Sequence, residues 1–213
     1  LSELLIKDGA TVYVADINQE NLDKTVALGA QQVAVEDIIG MDVDVFAPCA
    51  MGAILNDETI PELKATIVAG GANNQIAELR HGDMLRESGI LYAPDFVINA
   101  GGIIEIHYQR VGSAEQSRAH VERIGDTLSE IFKLSDEQAI STVAVAEQLA
   151  EAKDSTAFTT KIPRQRHKTE VHYANENSPA NLHFIRKHEG YPRKLLALPA
   201  KFPRKRFQPF FNT

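Results

Sequence analysis

Tyr92-Ala-Pro-Asp-Phe-Val-Ile-Asn-Ala-Gly-Gly-Ile-Ile-Glu-Ile106 is the stretch on which the reading of this chain turns. It predicts a short strand, a bend set by Pro94, an apolar run and then Asn-Ala-Gly-Gly opening a helix. Pro94 biases Ala93 towards an extended conformation. Phe96, Val97 and Ile98 carry no charge, as expected of a strand buried on both faces. Asn99 then falls at the strand end. Gly101 and Gly102 lack a Cβ, so a flat ring could approach the backbone there, and free N–H groups of the following helix would face the same space. On its own this is also how an ordinary strand-to-helix turn reads.

Working outward, short apolar runs alternate with helical segments. Thr11 to Ala15 reads as a buried strand with Asp16 at its end, and Asn18 as the cap of a helix ending near Gly29. Gln31 to Val35 is a short strand candidate. Val43 to Phe46 leads into Pro48-Cys-Ala-Met-Gly-Ala53, and Asp57 is placed to cap a short helix containing Ile60 and Leu63. Thr66 to Ala69 leads into Gly70-Gly-Ala-Asn-Asn-Gln75. A helix near Asp83 to Glu87 stops at Gly89 before the next strand at Ile90 to Tyr92. Beyond Gly102 the chain turns helical, with one helix over Glu115 to Leu134. Ser135-Asp-Glu-Gln138 has the form of a capping box ahead of a last helix to about Lys153. Alternating strands and helices predict a parallel sheet covered on both faces. Such sheets bind ligands at the carboxyl ends of their strands. Asp16, Pro48 to Gly52, Gly70 to Gln75 and Asn99 to Gly102 would line that one edge.

The net charge of −7 conceals a division. Residues 1–154 carry 10 Lys and Arg against 26 Asp and Glu, a net of −16, which makes this part a poor candidate for nucleic-acid binding. Residues 155–213 carry 12 against 3, a net of +9, with six of the nine prolines and no periodicity, so an irregular or disordered basic tail is expected. Cys49 is the only cysteine, which excludes an intrachain disulfide and makes an intracellular, cytoplasmic setting the default. No apolar run approaches a membrane span. No histidine has metal-ligand spacing, so no metal site is predicted.

Five motifs occur together and in order: Asp44-Val-Phe-Ala-Pro-Cys-Ala-Met-Gly-Ala-Ile-Leu-Asn-Asp57, Ile67-Val-Ala-Gly-Gly-Ala-Asn-Asn-Gln75, Arg80-His-Gly-Asp83, Gly89-Ile-Leu-Tyr-Ala-Pro-Asp95 and Val97-Ile-Asn-Ala-Gly-Gly102. Over about residues 1–154 they closely resemble the cofactor-binding domain of the Glu/Leu/Phe/Val dehydrogenases, in the leucine dehydrogenase branch. The resemblance implies an α/β, Rossmann-type doubly wound parallel sheet. It places the family's first strand and Gly-rich phosphate loop before Leu1, and no Gly-x-Gly-x-x-Gly occurs in the chain. The expectation is therefore an NAD-binding domain over 1–154 that lacks its first strand, followed by the tail over 155–213.

The family oxidatively deaminates L-amino acids to 2-oxo acids and ammonia with a nicotinamide cofactor. By the resemblance, Asp16 would bind the adenosine ribose, where a carboxylate accepts bonds from hydroxyls and repels a 2′-phosphate, favouring NAD. Taken alone, an Asp at a strand end is more often a turn former. Cys49 and Ala50 would line the cofactor cleft through their backbone. Asn74 would lie near the nicotinamide and the substrate carboxylate, and Asn99 would hold the nicotinamide carboxamide. Ile103 and Ile106 would shape an apolar side-chain pocket suited to L-leucine or another branched-chain amino acid, with phenylalanine or valine as alternatives. Packing in the core of the helix start is the other reading of both isoleucines. Glu105 departs from the small amide expected between them. The catalytic Lys and Asp belong to the family's preceding substrate domain, so no catalytic residue is assigned here and the chain alone is expected to be inactive. The family forms homo-oligomers. The rival expectation is a non-catalytic protein with a degenerate nucleotide-binding fold and a basic, partner-binding tail.

Overall fold

Helices cover both faces of a six-stranded sheet of order β2-β1-β6-β3-β4-β5 in this computed structural model, which describes residues 1–157 and 181–186. The strands are β1 (Thr11–Asp16), β2 (Gln31–Gln32), β3 (Val45–Cys49), β4 (Ile67–Val68), β5 (Leu91–Tyr92) and β6 (Asn181–Arg186). The helices are α1 (Ser2–Lys7), α2 (Gln19–Ala27), α3 (Arg80–Glu87), α4 (Asp95–Ile98), α5 (Gly101–Val111), α6 (Ala114–Glu122), α7 (Ile124–Gln138) and α8 (Thr142–Ala157).

The alternation of β1 shows why both faces are covered. Val12 and Val14 pack with Leu5 of α1 and Leu22 of α2 on one face. Tyr13 and Ala15 point the other way, into a cluster with Phe46, Val68, Leu85 and Val143. A third cluster joins Leu91 and Ala93 to Leu128, Ile131 and Phe132 of α7 and Val145 and Ala146 of α8.

β1 pairs in parallel with β2, β3 with β4, and β4 with β5. β1 and β3 are joined only through β6, which runs antiparallel to both. Relative to a doubly wound order of 3-2-1-4-5-6, the five parallel strands take places 3, 2, 4, 5 and 6. β6 takes the central place in the opposite direction. Irregular chain was expected over 155–213, yet α8 extends to Ala157 and 181–186 form this strand. The remainder of that segment lies outside the described residues.

Four local expectations are corrected. Phe96 to Ile98 form not a strand but the helical turn α4, with the Val97 and Ile98 N–H groups donating to Pro94 O, and Phe96 is exposed. A three-residue apolar run is too short for periodicity to separate strand from helix. Asn56, not Asp57, caps the turn before Ile60, its Oδ1 accepting from the N–H groups of Glu58 and Thr59. Asp57 instead pairs with Arg80. The expected helix over 115–134 is broken at Arg123 into α6 and α7. Ser135 lies inside α7, and the capping box is at Ser113 and Gln116 instead.

Candidate functional site

The carboxyl ends of β1, β3, β4 and β5 carry the residues singled out above. Asp16 ends β1 and is buried. Its Oδ1 accepts from the Asn18 N–H at 2.9 Å, while Oδ2 is enclosed without a partner among the described residues. A buried carboxylate oxygen left unbonded is costly.

Cys49 ends β3 and is half-buried, its Sγ 3.5 Å from the donating Gly71 N–H. Burial pushes the thiol above its ordinary pKa, and the Gly71 N–H offsets part of that rise. The thiol is therefore protonated at neutral pH and a poor nucleophile. A thiol pKa raised by folding contributes stability that is complete below the unfolded pKa and lost as pH rises through the folded one. Iodoacetamide should label native Cys49 more slowly than the urea-unfolded chain at pH 8, as mass spectrometry of both states would read; equal rates would contradict the burial argument.

The loops after β3 and β4 are zipped together. The Ala53 N–H donates to Asn74 O at 2.6 Å, Leu55 N–H to Gln75 O at 2.9 Å, and Ala77 N–H to Leu55 O at 2.9 Å. Gln75 is fully buried and its Nε2 donates to Gly70 O and Ala72 O, closing the loop on itself. Asn74 has φ 53, and its side chain is exposed. Asn99, at the end of α4, donates from Nδ2 to Asn73 Oδ1 at 2.6 Å and lies 3.5 Å from Ala72 O. The structure thus brings Asn74 and Asn99 to one loop.

Ile103 and Ile106 stand on α5 at 74% and 54% exposure, whereas Ile104 between them is buried. Core packing does not account for the pair. A Cβ on Gly102 would meet nothing within 4 Å, so the space above the start of α5 is open. Glu105 accepts from Ser117 Oγ at 2.5 Å and so ties α5 to α6.

Tyr92 and Asp95, for which no role was expected, also belong to this edge. Burial, and then the charge of Asp95, raise the Tyr92 phenol well above its usual pKa, so it remains an O–H donor. His81, also buried, accepts from the Glu78 N–H at its Nδ1, a bond at the start of α3. No group of three or more His, Cys, Asp or Glu side chains that could hold a metal ion occurs among the described residues, and none of the described helices is long and apolar enough to cross a membrane.

The sequence profile of the Glutamate/Leucine/Phenylalanine/Valine dehydrogenases matches residues 7–170. The chain belongs to this family. Among Glu/Leu/Phe/Val dehydrogenases it is 46% identical to a leucine dehydrogenase of Bacillus cereus over 153 residues, covering 71% of this chain and 42% of that protein. A phenylalanine dehydrogenase of Caldalkalibacillus thermarum is 43% identical over 158 residues, covering 71% and 43%. The solved structure of L-tryptophan dehydrogenase from Nostoc punctiforme superposes with a TM-score of 0.65 at 41% identity, over 68% of this chain and 44% of that one. The chain thus spans less than half the length of the curated relatives it matches.

Proposed function

We propose that this chain is the cofactor-binding part of a cytoplasmic, homo-oligomeric, NAD-dependent dehydrogenase that oxidatively deaminates L-leucine or another branched-chain amino acid to the 2-oxo acid and ammonia. The observation that carries this reading is the Asp16 carboxylate, buried at the end of β1 with one oxygen unbonded among the described residues. That atom suits a ribose hydroxyl and would repel a 2′-phosphate. The open space over Gly102 and the Asn99 amide beside it suit the nicotinamide end. Between these ends no Gly-rich phosphate loop occurs among the described residues, and Asn181 of β6 lies opposite both Asp16 and Cys49. Affinity should therefore be modest.

NAD, when bound, accepts the hydride from the amino acid. The chain's own residues bind and orient it: Asp16 holds the ribose, the backbone at Cys49 and Ala50 lines the cleft, and Asn74 and Asn99 fix the ring. Ile103 and Ile106, both exposed, offer apolar surface to a substrate side chain and leave a substrate carboxylate at that position without a partner. Activation of the amino acid falls to residues outside the matched part of the family sequence, so the chain alone should show no L-leucine-dependent reduction of NAD.

The test is a fluorescence titration with NADH. Asp16→Ala should weaken binding about 10- to 100-fold, the range spanned by a hydrogen bond to a charged group, and should narrow the preference for NADH over NADPH. Unchanged affinity in the variant would remove Asp16 from the site.

A further inference from the structure

Asp95 is a buried carboxylate at 7% exposure that no role given above uses. Its recorded partners are neutral. Oδ2 accepts from the Asn74 N–H at 2.5 Å, and Oδ1 accepts from the Tyr92 hydroxyl at 3.2 Å. The Asp95 N–H in turn donates to the Tyr92 hydroxyl oxygen at 3.3 Å. Tyr92 is itself fixed, since its carbonyl accepts from Thr142 Oγ1 at 2.8 Å at the start of α8. Burying a carboxylate is unfavourable unless its oxygens are bonded, and here both are.

What this carboxylate holds is a backbone in an uncommon conformation. Asn74 has φ 53, in the left-handed region that few L residues adopt, Asn being among the more tolerant of them. Its N–H is bound by Asp95 and its carbonyl by the Ala53 N–H. Both backbone groups are thus fixed from opposite sides. The side-chain amide is exposed and makes no hydrogen bond to the described residues. The backbone is clamped and the amide is presented to the strand-end edge.

We propose that Asp95 is a positioning residue: through the Asn74 N–H it holds that residue left-handed and so sets where the Asn74 amide stands at the ligand edge. That the amide meets a nicotinamide cofactor rests on the function proposed above; the clamp itself does not.

The test follows the backbone amides of the full chain by NMR hydrogen exchange and titrates each variant with NADH. In Asp95→Ala the Asn74 amide should exchange about 10- to 100-fold faster, the range of a hydrogen bond to a charged group, and its proton should move upfield. Amides of β1 and β3 should be unaffected. Asp95→Asn, whose carbonyl can still accept one bond, should recover part of the protection, and Tyr92→Phe should cause a smaller loss. NADH affinity should fall in the same order. If Asp95→Ala does not fold, Asp95→Asn and Tyr92→Phe give the same readout. Unchanged exchange at Asn74 in the folded variants would overturn the clamp, and so would equal acceleration across β1 and β3, which marks a general loss of stability. Faster exchange at Asn74 with NADH affinity unchanged would overturn the positioning role. If the wild-type chain fails to bind NADH while Asp95→Ala still frees Asn74, the clamp stands and the cofactor reading falls.

Discussion

Gly70→Ala should abolish or severely weaken the fold. Gly70 is buried just beyond β4, where the chain crosses the end of β3. A Cβ there would lie 2.1 Å from Pro48 O, 2.4 Å from Pro48 N and 2.6 Å from Pro48 Cδ. These are backbone and ring atoms of β3, not the far end of a flexible side chain, so the strand ends themselves must part. Two bonds depend on that approach: Ala69 N–H to Phe46 O at 2.9 Å and Ala72 N–H to Pro48 O at 3.0 Å. Overpacking in a core costs about 1–3 kcal/mol and sometimes more. With backbone on both sides of the clash, ~3 kcal/mol or more is expected, against ~5–15 kcal/mol of total stability for a domain. Gly102→Ala is the control, since its Cβ meets nothing within 4 Å and it lies within α5. Ala is favoured over Gly inside a helix by about 1 kcal/mol, so this variant should hold or gain stability. Urea melts followed by circular dichroism would compare the two. A Gly70→Ala midpoint equal to wild type would show that the β3–β4 contact is looser than described.

Phe184→Pro should separate the two halves of the sheet. Phe184 of β6 lies opposite Tyr13 of β1 and Phe46 of β3. Proline has no N–H to give and is excluded from central strands for that reason. Because β1 and β3 are not paired with each other, losing β6 strips the inner edge of both. Each backbone bond contributes ~1 kcal/mol net, so loss of several on the two sides of β6 removes a large share of the stability. Hydrogen exchange should rise sharply at β1 and β3 amides and little in α7, whose core contacts are with β5 and α8. Phe184→Val keeps the backbone donor and should leave this exchange pattern close to wild type. Protection of β1 and β3 that survives the proline would mean that β6 does not bridge them.

Much of this architecture is legible in the residues. Thr11 to Asp16 forms β1 because a β-branched, apolar run ends in a carboxylate, and Asn18 caps α2 through its side chain, accepting from the Asn21 N–H at 3.1 Å. The convergence of Asp16, Cys49, Asn74 and Asn99 on one edge follows from the parallel order of four strand ends. Three things were not legible. Asn181-Leu-His-Phe-Ile-Arg186 is free of proline and rich in strand formers, yet it is surrounded by basic, proline-rich sequence that hides it. Asp95 and Tyr92 become a pair only because Pro94 turns the chain into α4 and aims the carboxylate back at the loop after β4, a contact no local pattern encodes. The fully buried Gln75 was likewise read as part of a polar loop, because a side chain that satisfies its own loop's carbonyls looks the same in sequence as one left in water.

The placement of β6 also sets the order in which the molecule can be made. Thr11 pairs with Arg186, so β1 is synthesised well before the strand that closes its inner edge. Domains are assembled as the chain leaves the ribosome at ~5–20 residues per second. Throughout that interval β1 and β3 present open backbone edges to other nascent copies. Closing so long a loop adds only slowly to the entropic cost, by about 0.6 kcal/mol per doubling of length. The delay weighs on rate and on aggregation rather than on final stability. Yield in the cell should therefore depend on chaperone supply and on translation speed more than the melting point of the purified protein suggests.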